Sequence, residues 1–228
     1  MAQRSSDDGT PRLLAPDGID ALIRALAQAG YRVIGPRRAD DAVVYDDIDG
    51  LADLPAGWRA EQEGGQYRLH RRDDGALFGY GLAPQGWKRQ LYPPRQKIFS
   101  VRRGESGRES DAPPPPSPPR ALIGARDYAD PGYQRRLAEA FFVAVQCGEA
   151  EATCFCAAMG SGPEVTAGYD IKLVEVIDAG RHAFVAETAT ARGEALLQGL
   201  ATTRADADAL DAAARALEAA GRQHRRLD

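Results

Sequence analysis

The chain has 228 residues, 43% hydrophobic and 27% charged, with a formal net charge of -4. That balance belongs to a globular protein with enough apolar residues for one large domain or two small ones, and it gives no electrostatic drive toward nucleic acid. No apolar run approaches the roughly 20 residues that span a bilayer, and Met1 to Ala15 lacks the apolar centre of a signal peptide, so the expected location is the cytoplasm.

Residues 1–16 are polar, contain Pro11 and Pro16, and are expected to be disordered. Asp17 reads as the N-cap of an amphipathic helix with Ile19, Leu22, Ile23 and Leu26 at helical spacing and Gly30 as its C-cap. Short strands are expected at Tyr31–Ile34 and Ala42–Tyr45. Gln66–His70 alternates, a turn ends at Gly75, and Ala76–Tyr80 returns, which predicts a hairpin because Asp-Gly tolerates the positive φ of tight turns. Pro93 and Pro94 force extended geometry on the residues before them, and Lys97–Val101 predicts a further strand.

Residues 102–119 hold Gly104, Gly107 and the run Pro113-Pro-Pro-Pro-Ser-Pro-Pro119, the composition of a semi-rigid connector. Beyond it, Ala121–Gly124 and Phe141–Val145 have the composition of buried strands, with a helix between them at Tyr133–Ala140. Ile171–Ile177 alternates, Ala183–Glu187 follows an Asp-Ala-Gly turn, and residues 191–199 and 203–221 are alanine-rich helices, the second capped by Thr203. The fold class is therefore mixed α/β. An α+β part at 17–101, with a helix and a small sheet, precedes a linker at 102–119 and an α/β core with C-terminal helices at 120–228.

The three cysteines of the chain, Cys147, Cys154 and Cys156, fall within ten residues, directly after an expected strand. Functional sites of α/β folds sit just past strand ends. A disulfide framework would want an even number at wider spacing, and a cytosolic cluster of this kind points to metal or redox chemistry. The spacing Cys-x6-Cys-x-Cys is neither of the usual ferredoxin patterns. Gly148, Gly160 and Gly162 give the segment freedom to turn both thiols of Cys154-Phe-Cys156 inward, and Phe155 would shield a site from water. On spacing alone three chemistries stay open: an iron–sulfur cluster, zinc with a fourth ligand from His70, His182 or His224, and thiols that hold no metal. No base adjoins Cys147 or Cys154, which argues against a cysteine nucleophile.

The strings Leu77-Phe-Gly-Tyr80, Gly86-Trp-Lys-Arg-Gln-Leu-Tyr-Pro-Pro94, Phe142-Val-Ala-Val-Gln-Cys147, Thr153-Cys-Phe-Cys-Ala-Ala-Met-Gly-Ser-Gly-Pro163 and Gly168-Tyr-Asp170 carry a resemblance. They resemble the N-terminal part of the sulfhydrogenase β-subunit family, which includes the iron–sulfur A subunit of anaerobic sulfite reductase. The resemblance implies a cubane 4Fe–4S cluster on Cys147, Cys154 and Cys156, in a non-catalytic electron-transfer subunit. It further implies partners: a flavin subunit handling NAD(P)H, and a hydrogenase or sulfite-reducing subunit. Lys88 and Arg89 would face the cluster or a partner, or else form a solvated strand edge. Two departures stand out. The family continues into a ferredoxin-like domain beyond the equivalent of Asp228, and between Arg126 and Asp127 it carries an Arg-Pro-Cys-Asp string whose cysteine would supply the fourth ligand. Asp127 is the nearest residue to that position, where it either ligates or caps the following helix. The alternative reading is a cluster-free or zinc-binding scaffold.

Overall fold

The structure, a computed structural model, describes residues 10–63, 65–81, 100–104, 107–111, 131–151, 154, 156–178 and 180–222. In chain order its elements are β1 (Arg12–Leu14), α1 (Pro16–Gln28), β2 (Ile34–Ala39), β3 (Ala42–Asp47), β4 (Trp58–Glu63), β5 (Gln66–Arg71), β6 (Ser100–Gly104) and β7 (Gly107–Asp111). Then follow α2 (Pro131–Glu139), β8 (Val143–Val145), β9 (Ile171–Asp178), β10 (Arg181–Thr188), α3 (Ala191–Gln198), β11 (Thr203–Arg204) and α4 (Ala207–Arg222). The fold is mixed α/β, and among the described residues no helix is long and apolar enough to cross a membrane.

The two long strands β9 and β10 organise the core. With β1, β8 and β11 they form a five-stranded sheet in the order β11-β1-β10-β9-β8, antiparallel throughout except for the parallel β8–β9 pair. Successive side chains of a strand point to opposite faces. Ile171, Leu173, Phe184 and Ala186 therefore face Ile19, Leu22, Ile23 and Leu26 of α1 and Leu197 of α3. Val174, Val176 and Val185 face Ala209, Ala212 and Ala213 of α4 on the other side. The result is three layers with β9 buried on both faces, not the half-buried strand that alternation suggests.

Helix α1 stops for a local reason. Gly30 takes φ +88°, its N–H donates to Ala27 O at 3.0 Å, and Tyr31 N–H donates to Leu26 O at 3.1 Å, the paired bonds of a glycine C-terminal motif. Its start differs from expectation: Ala15 is the N-cap, Pro16 opens the first turn, and Asp17 lies inside it.

The sheet depends on Asp170, which is 1% exposed and sits just before β9. Its carboxylate accepts from Phe142 N–H at 2.8 Å, Thr190 Oγ1 at 2.6 Å, and Arg192 Nε and Nη2 at 2.6 and 2.9 Å. Thr190 also caps α3 by accepting from Gly193 N–H at 3.1 Å. A Cβ at Gly193 would lie 2.2 Å from the Asp170 carbonyl oxygen, so the helix approaches this closely only with glycine there.

Several expectations are corrected. Arg12–Leu14, placed in a disordered stretch, is a strand inside the sheet, paired with both β10 and β11. Gln66–Arg71 pairs backward with Trp58–Glu63 across a two-residue connection in which Gly65 takes φ +79°, not forward with Ala76–Tyr80. The forward partner is lost because the Glu175 carboxylate takes the N–H groups of Leu77 and Phe78, at 2.6 and 2.9 Å. Helix α4 is capped by Asp206, which accepts from Ala209 N–H at 2.7 Å, while Thr203 lies in β11. Gly107–Asp111, expected in a linker, pairs with Ser100–Gly104 as a hairpin. The chain divides into two compact units, Met1–Gln85 with Phe141–Asp228, and Gly86–Ala140. Residues of 17–101 and of 120–228 thus share one core, shown by the packing of α1 on β9 and β10. The second unit contains the β6–β7 hairpin and α2. Pro113–Pro119 and the strand expected at Ala121–Gly124 lie outside the described residues.

Burial alone would raise the Asp170 carboxyl, but the bonds from Arg192, Thr190 and Phe142 N–H outweigh it and hold the group below the usual carboxylate range. A depressed carboxylate stabilises the fold above its unfolded value near ~4 and loses that contribution as pH falls through the folded value. Asp170→Asn should therefore lower the unfolding free energy at pH 7 by about 3 kcal/mol, the cost of breaking a buried pair. Urea titrations of both proteins should show that deficit shrinking below pH ~4; a deficit that stays constant with pH would contradict the assignment.

Candidate functional site

Strand β8 delivers the cysteine segment. Immediately after it, Gln146 is 5% exposed, and its N–H extends the parallel ladder to Leu173 O at 2.8 Å. Its side chain closes the segment: Nε2 donates to Pro163 O at 2.6 Å, and Oε1 accepts from Val165 N–H at 2.9 Å. One buried amide thus pins both ends of the loop from Cys147 to Gly162. Inside it, Cys154 N–H donates to Glu151 O at 2.9 Å, and Ser161 N–H donates to Cys156 O at 2.9 Å. Gly160 takes φ +64°, and a Cβ at Gly162 would lie 3.3 Å from Cys156 Sγ. Glycine at 162 is what leaves room for that sulfur.

No disulfide joins the three cysteines; Cys154 and Cys156 are half-buried, and Cys147 has an exposed residue surface but a desolvated thiol. That burial pushes the Cys147 thiol up, and the nearness of Cys154 and Cys156 pushes it further. The Tyr45 phenol of β3 is raised by burial and, to a lesser extent, by the charge of Cys147 when ionised. The Tyr80 hydroxyl is buried with no hydrogen-bond partner among the described residues, and Tyr67 donates to Gly81 O at 2.9 Å while accepting from Val43 N–H at 3.2 Å.

An acidic arm ties the loop to the β4–β5 hairpin and the segment after it. Glu149 Oε2 lies 3.0 Å from Arg72 Nη1 and 3.5 Å from Arg59 Nε. Arg72 also forks onto Asp74 at 2.9 and 2.5 Å, which holds the Asp74 carboxyl down at about 2. Glu151 lies against Gly81, where a Cβ would be 2.7 Å from its Cγ; burial raises its carboxyl, and backbone N–H groups of Gly81 and Gln62 bond to it.

Of the residues singled out in the sequence, the structure brings Cys147, Cys154 and Cys156 into one pinned loop. His70 bonds Glu61 at 2.8 Å and His182 bonds Glu175 at 2.8 Å, so each of these histidines has a carboxylate partner outside the loop. Asp127, Lys88, Arg89, Phe155 and His224 lie outside the described residues. Three thiolates are the right donor chemistry for a soft metal. Among the described residues, however, no three His, Cys, Asp or Glu side chains are disposed to hold one ion, so this arrangement is not a completed centre. Sequence reasoning missed Gln146, Tyr45 and the Glu149 arm. Only Gln146 left a signal, a polar residue between an apolar strand and a cysteine.

Comparison of the chain with protein-family models, with curated proteins and with solved structures returns no match.

The raised Cys147 thiol makes a direct prediction. At neutral pH the metal-free protein should be alkylated at Cys147 more slowly than an ordinary cysteine, because the thiolate is the nucleophile. Replacing Cys154 and Cys156 by serine should move the pH profile of that reaction to lower pH, because at high pH their charges no longer oppose ionisation of Cys147. Mass spectrometry of iodoacetamide time courses across a pH series reads both effects, and an unchanged profile in the double variant would contradict the assignment.

Proposed function

We propose that the loop from Cys147 to Cys156 carries an iron–sulfur cluster and that the chain is an electron-carrying module of a cytoplasmic redox complex. The observation behind this reading is the grouping of all three thiols of the chain in one loop clamped by Gln146, close enough for two of them to oppose ionisation of the third. Gathering thiolates without a cation is unfavourable, and a bound metal reverses that repulsion. A pinned loop at the end of a parallel strand is also where α/β folds place their ligands. The resemblance to the sulfhydrogenase β-subunit family supplies the rest: a 4Fe–4S cluster, a flavin partner handling NAD(P)H, and a hydrogenase or sulfite-reducing partner. Asp127 is the proposed fourth ligand. The electron-carrying role, not catalysis, accords with the absence of a base beside Cys147 or Cys154 in the sequence.

Purification under argon, with iron, acid-labile sulfide and zinc measured on one sample, tests this reading. The expected result is iron and sulfide together, broad visible absorption, and loss of most iron in Cys156→Ser. Zinc without sulfide would favour a zinc-binding scaffold. Reduced thiols with neither metal would overturn the cluster and the zinc reading alike.

A further inference from the structure

The five-stranded sheet has an open slot at the end of β1, where β10 runs on and β1 does not. Ala205 N–H donates to Pro11 O at 3.0 Å, so the odd-numbered residues here bond toward β11. The even-numbered ones, Arg12 and Leu14, therefore bond toward Ala186 and Phe184 of β10, because the backbone groups of an antiparallel strand turn alternately to its two neighbours. By the same alternation the N–H and C=O of His182 point to the β1 side, one step beyond Leu14. A continued β1 would place residue 16 opposite His182, but Pro16 opens α1 and the chain turns away. Among the described residues nothing takes those two backbone groups.

A cavity of about 480 Å³ lies there, lined by residues 13–15, 181–183 and 201–203. Its walls are the end of β1, the uncovered start of β10 and the chain leading into β11, and β10 and β11 are the strands that flank β1. The gap is one strand wide, since it occupies the place that β1 vacates between them. Its walls are held in position. His182 Nε2 bonds Glu175 Oε1 at 2.8 Å, and the Glu175 carboxylate is fixed by the N–H groups of Leu77 and Phe78. Arg181 bonds Asp206 at 2.8 Å, the residue that caps α4. The open edge is therefore preformed, which spares a ligand the cost of ordering it.

We propose that this slot binds an extended peptide segment of a partner protein, which adds to β10 as the missing continuation of β1. An N–H and a C=O of one residue facing the same way match the main chain of an extended peptide, which presents an acceptor and a donor at that spacing. A gap one strand wide admits an extended chain and excludes a helix, which is about 10–12 Å across with its side chains. Leucine and alanine make up most of the lining, with Thr202 and Thr203 beside them, so small apolar or hydroxyl side chains suit the peptide. Proline is excluded opposite His182, because it lacks the N–H that the His182 carbonyl would accept. None of the described residues lining the slot belongs to the cysteine loop.

The test follows amide exchange and chemical shifts of the unaltered chain by NMR. In the free protein the His182 amide should exchange faster than those of Ala183 and Phe184, which are bonded to β9 and β1. Short N-acetylated, C-amidated peptides of Ala, Val and Thr should slow that exchange and shift the amides of residues 13–15, 181–183 and 201–203. The same peptides N-methylated along the backbone should bind about fivefold more weakly or worse, the net worth of one hydrogen bond. Ala201→Phe, a change at an exposed residue, should fill the slot and remove the response, and Thr202→Phe serves if that variant fails to fold. A His182 amide already protected in the free protein would overturn the open edge. Peptides that cause no shift, or N-methylated peptides that bind equally well, would overturn the peptide site. The same response to N-methylacetamide would make the slot a pocket for small amides and overturn the peptide site as well.

Discussion

Asp170 is the point from which the position of every other part of the site is set. An isolated carboxylate at 1% exposure would cost several kcal/mol, so the fold supplies four donor atoms to it, two of them on one guanidinium. The donors come from two stretches of chain: Phe142, just before β8, and Thr190 with Arg192, at the N-cap and first turn of α3. The backbone of Asp170 adds to this by donating to Phe142 O at 2.8 Å and accepting from Ala189 N–H at 3.1 Å. Arg192 also lies 5.4 Å from the Phe141 ring centre, and Phe141 meets Tyr31 edge-on at 5.6 Å. Strand β8, only three residues long, thereby acquires a fixed register against β9, with Val143 opposite Ile171 and Val145 opposite Leu173. The exit of the chain toward Cys147 is a consequence of that register.

From that exit outward, the forces change in kind. The three-layer core is held by apolar burial, in which side chains such as Phe184 and Leu14 each contribute roughly 1.5–3 kcal/mol. The loop beyond Gln146 is held by polar contacts among the described residues. It relies on one buried amide at its base and on carboxylates that reach Arg72, Arg59 and the Gly81 backbone. Partly exposed ion pairs contribute little each, commonly under about 1 kcal/mol, so such a loop is well placed but easily rearranged. That combination would suit the proposed thiolate site, in which the scaffold stays intact when a metal is bound.

The elements that periodicity reveals are those whose apolar faces are long. Helix α1, strands β9 and β10, and helices α3 and α4 all follow from the spacing of residues such as Ile19, Leu22, Val174, Val176 and Leu197. What stayed hidden was decided by partners distant in sequence. Arg12–Leu14 is too short to show alternation, and it becomes a strand because β10 and β11 flank it. Ala76–Tyr80 reads as a strand, yet Glu175, nearly a hundred residues on, takes its donors. Pairing of Trp58–Glu63 with Gln66–Arg71 was legible only in the short glycine-containing connection between them. The candidate site divides in the same way. Three cysteines in ten residues announce themselves, but nothing near Glu149 in the sequence points to Arg59 or Arg72.

Iron K-edge X-ray absorption on anaerobically purified protein bears most directly on the central claim, that this loop is a thiolate site for an iron–sulfur cluster. Sulfur scattering in the first shell together with iron–iron scattering beyond it is the expected result, and both should vanish when Cys147, Cys154 and Cys156 are replaced by serine. Iron surrounded only by oxygen and nitrogen, or iron retained unchanged after loss of the three cysteines, would contradict the account.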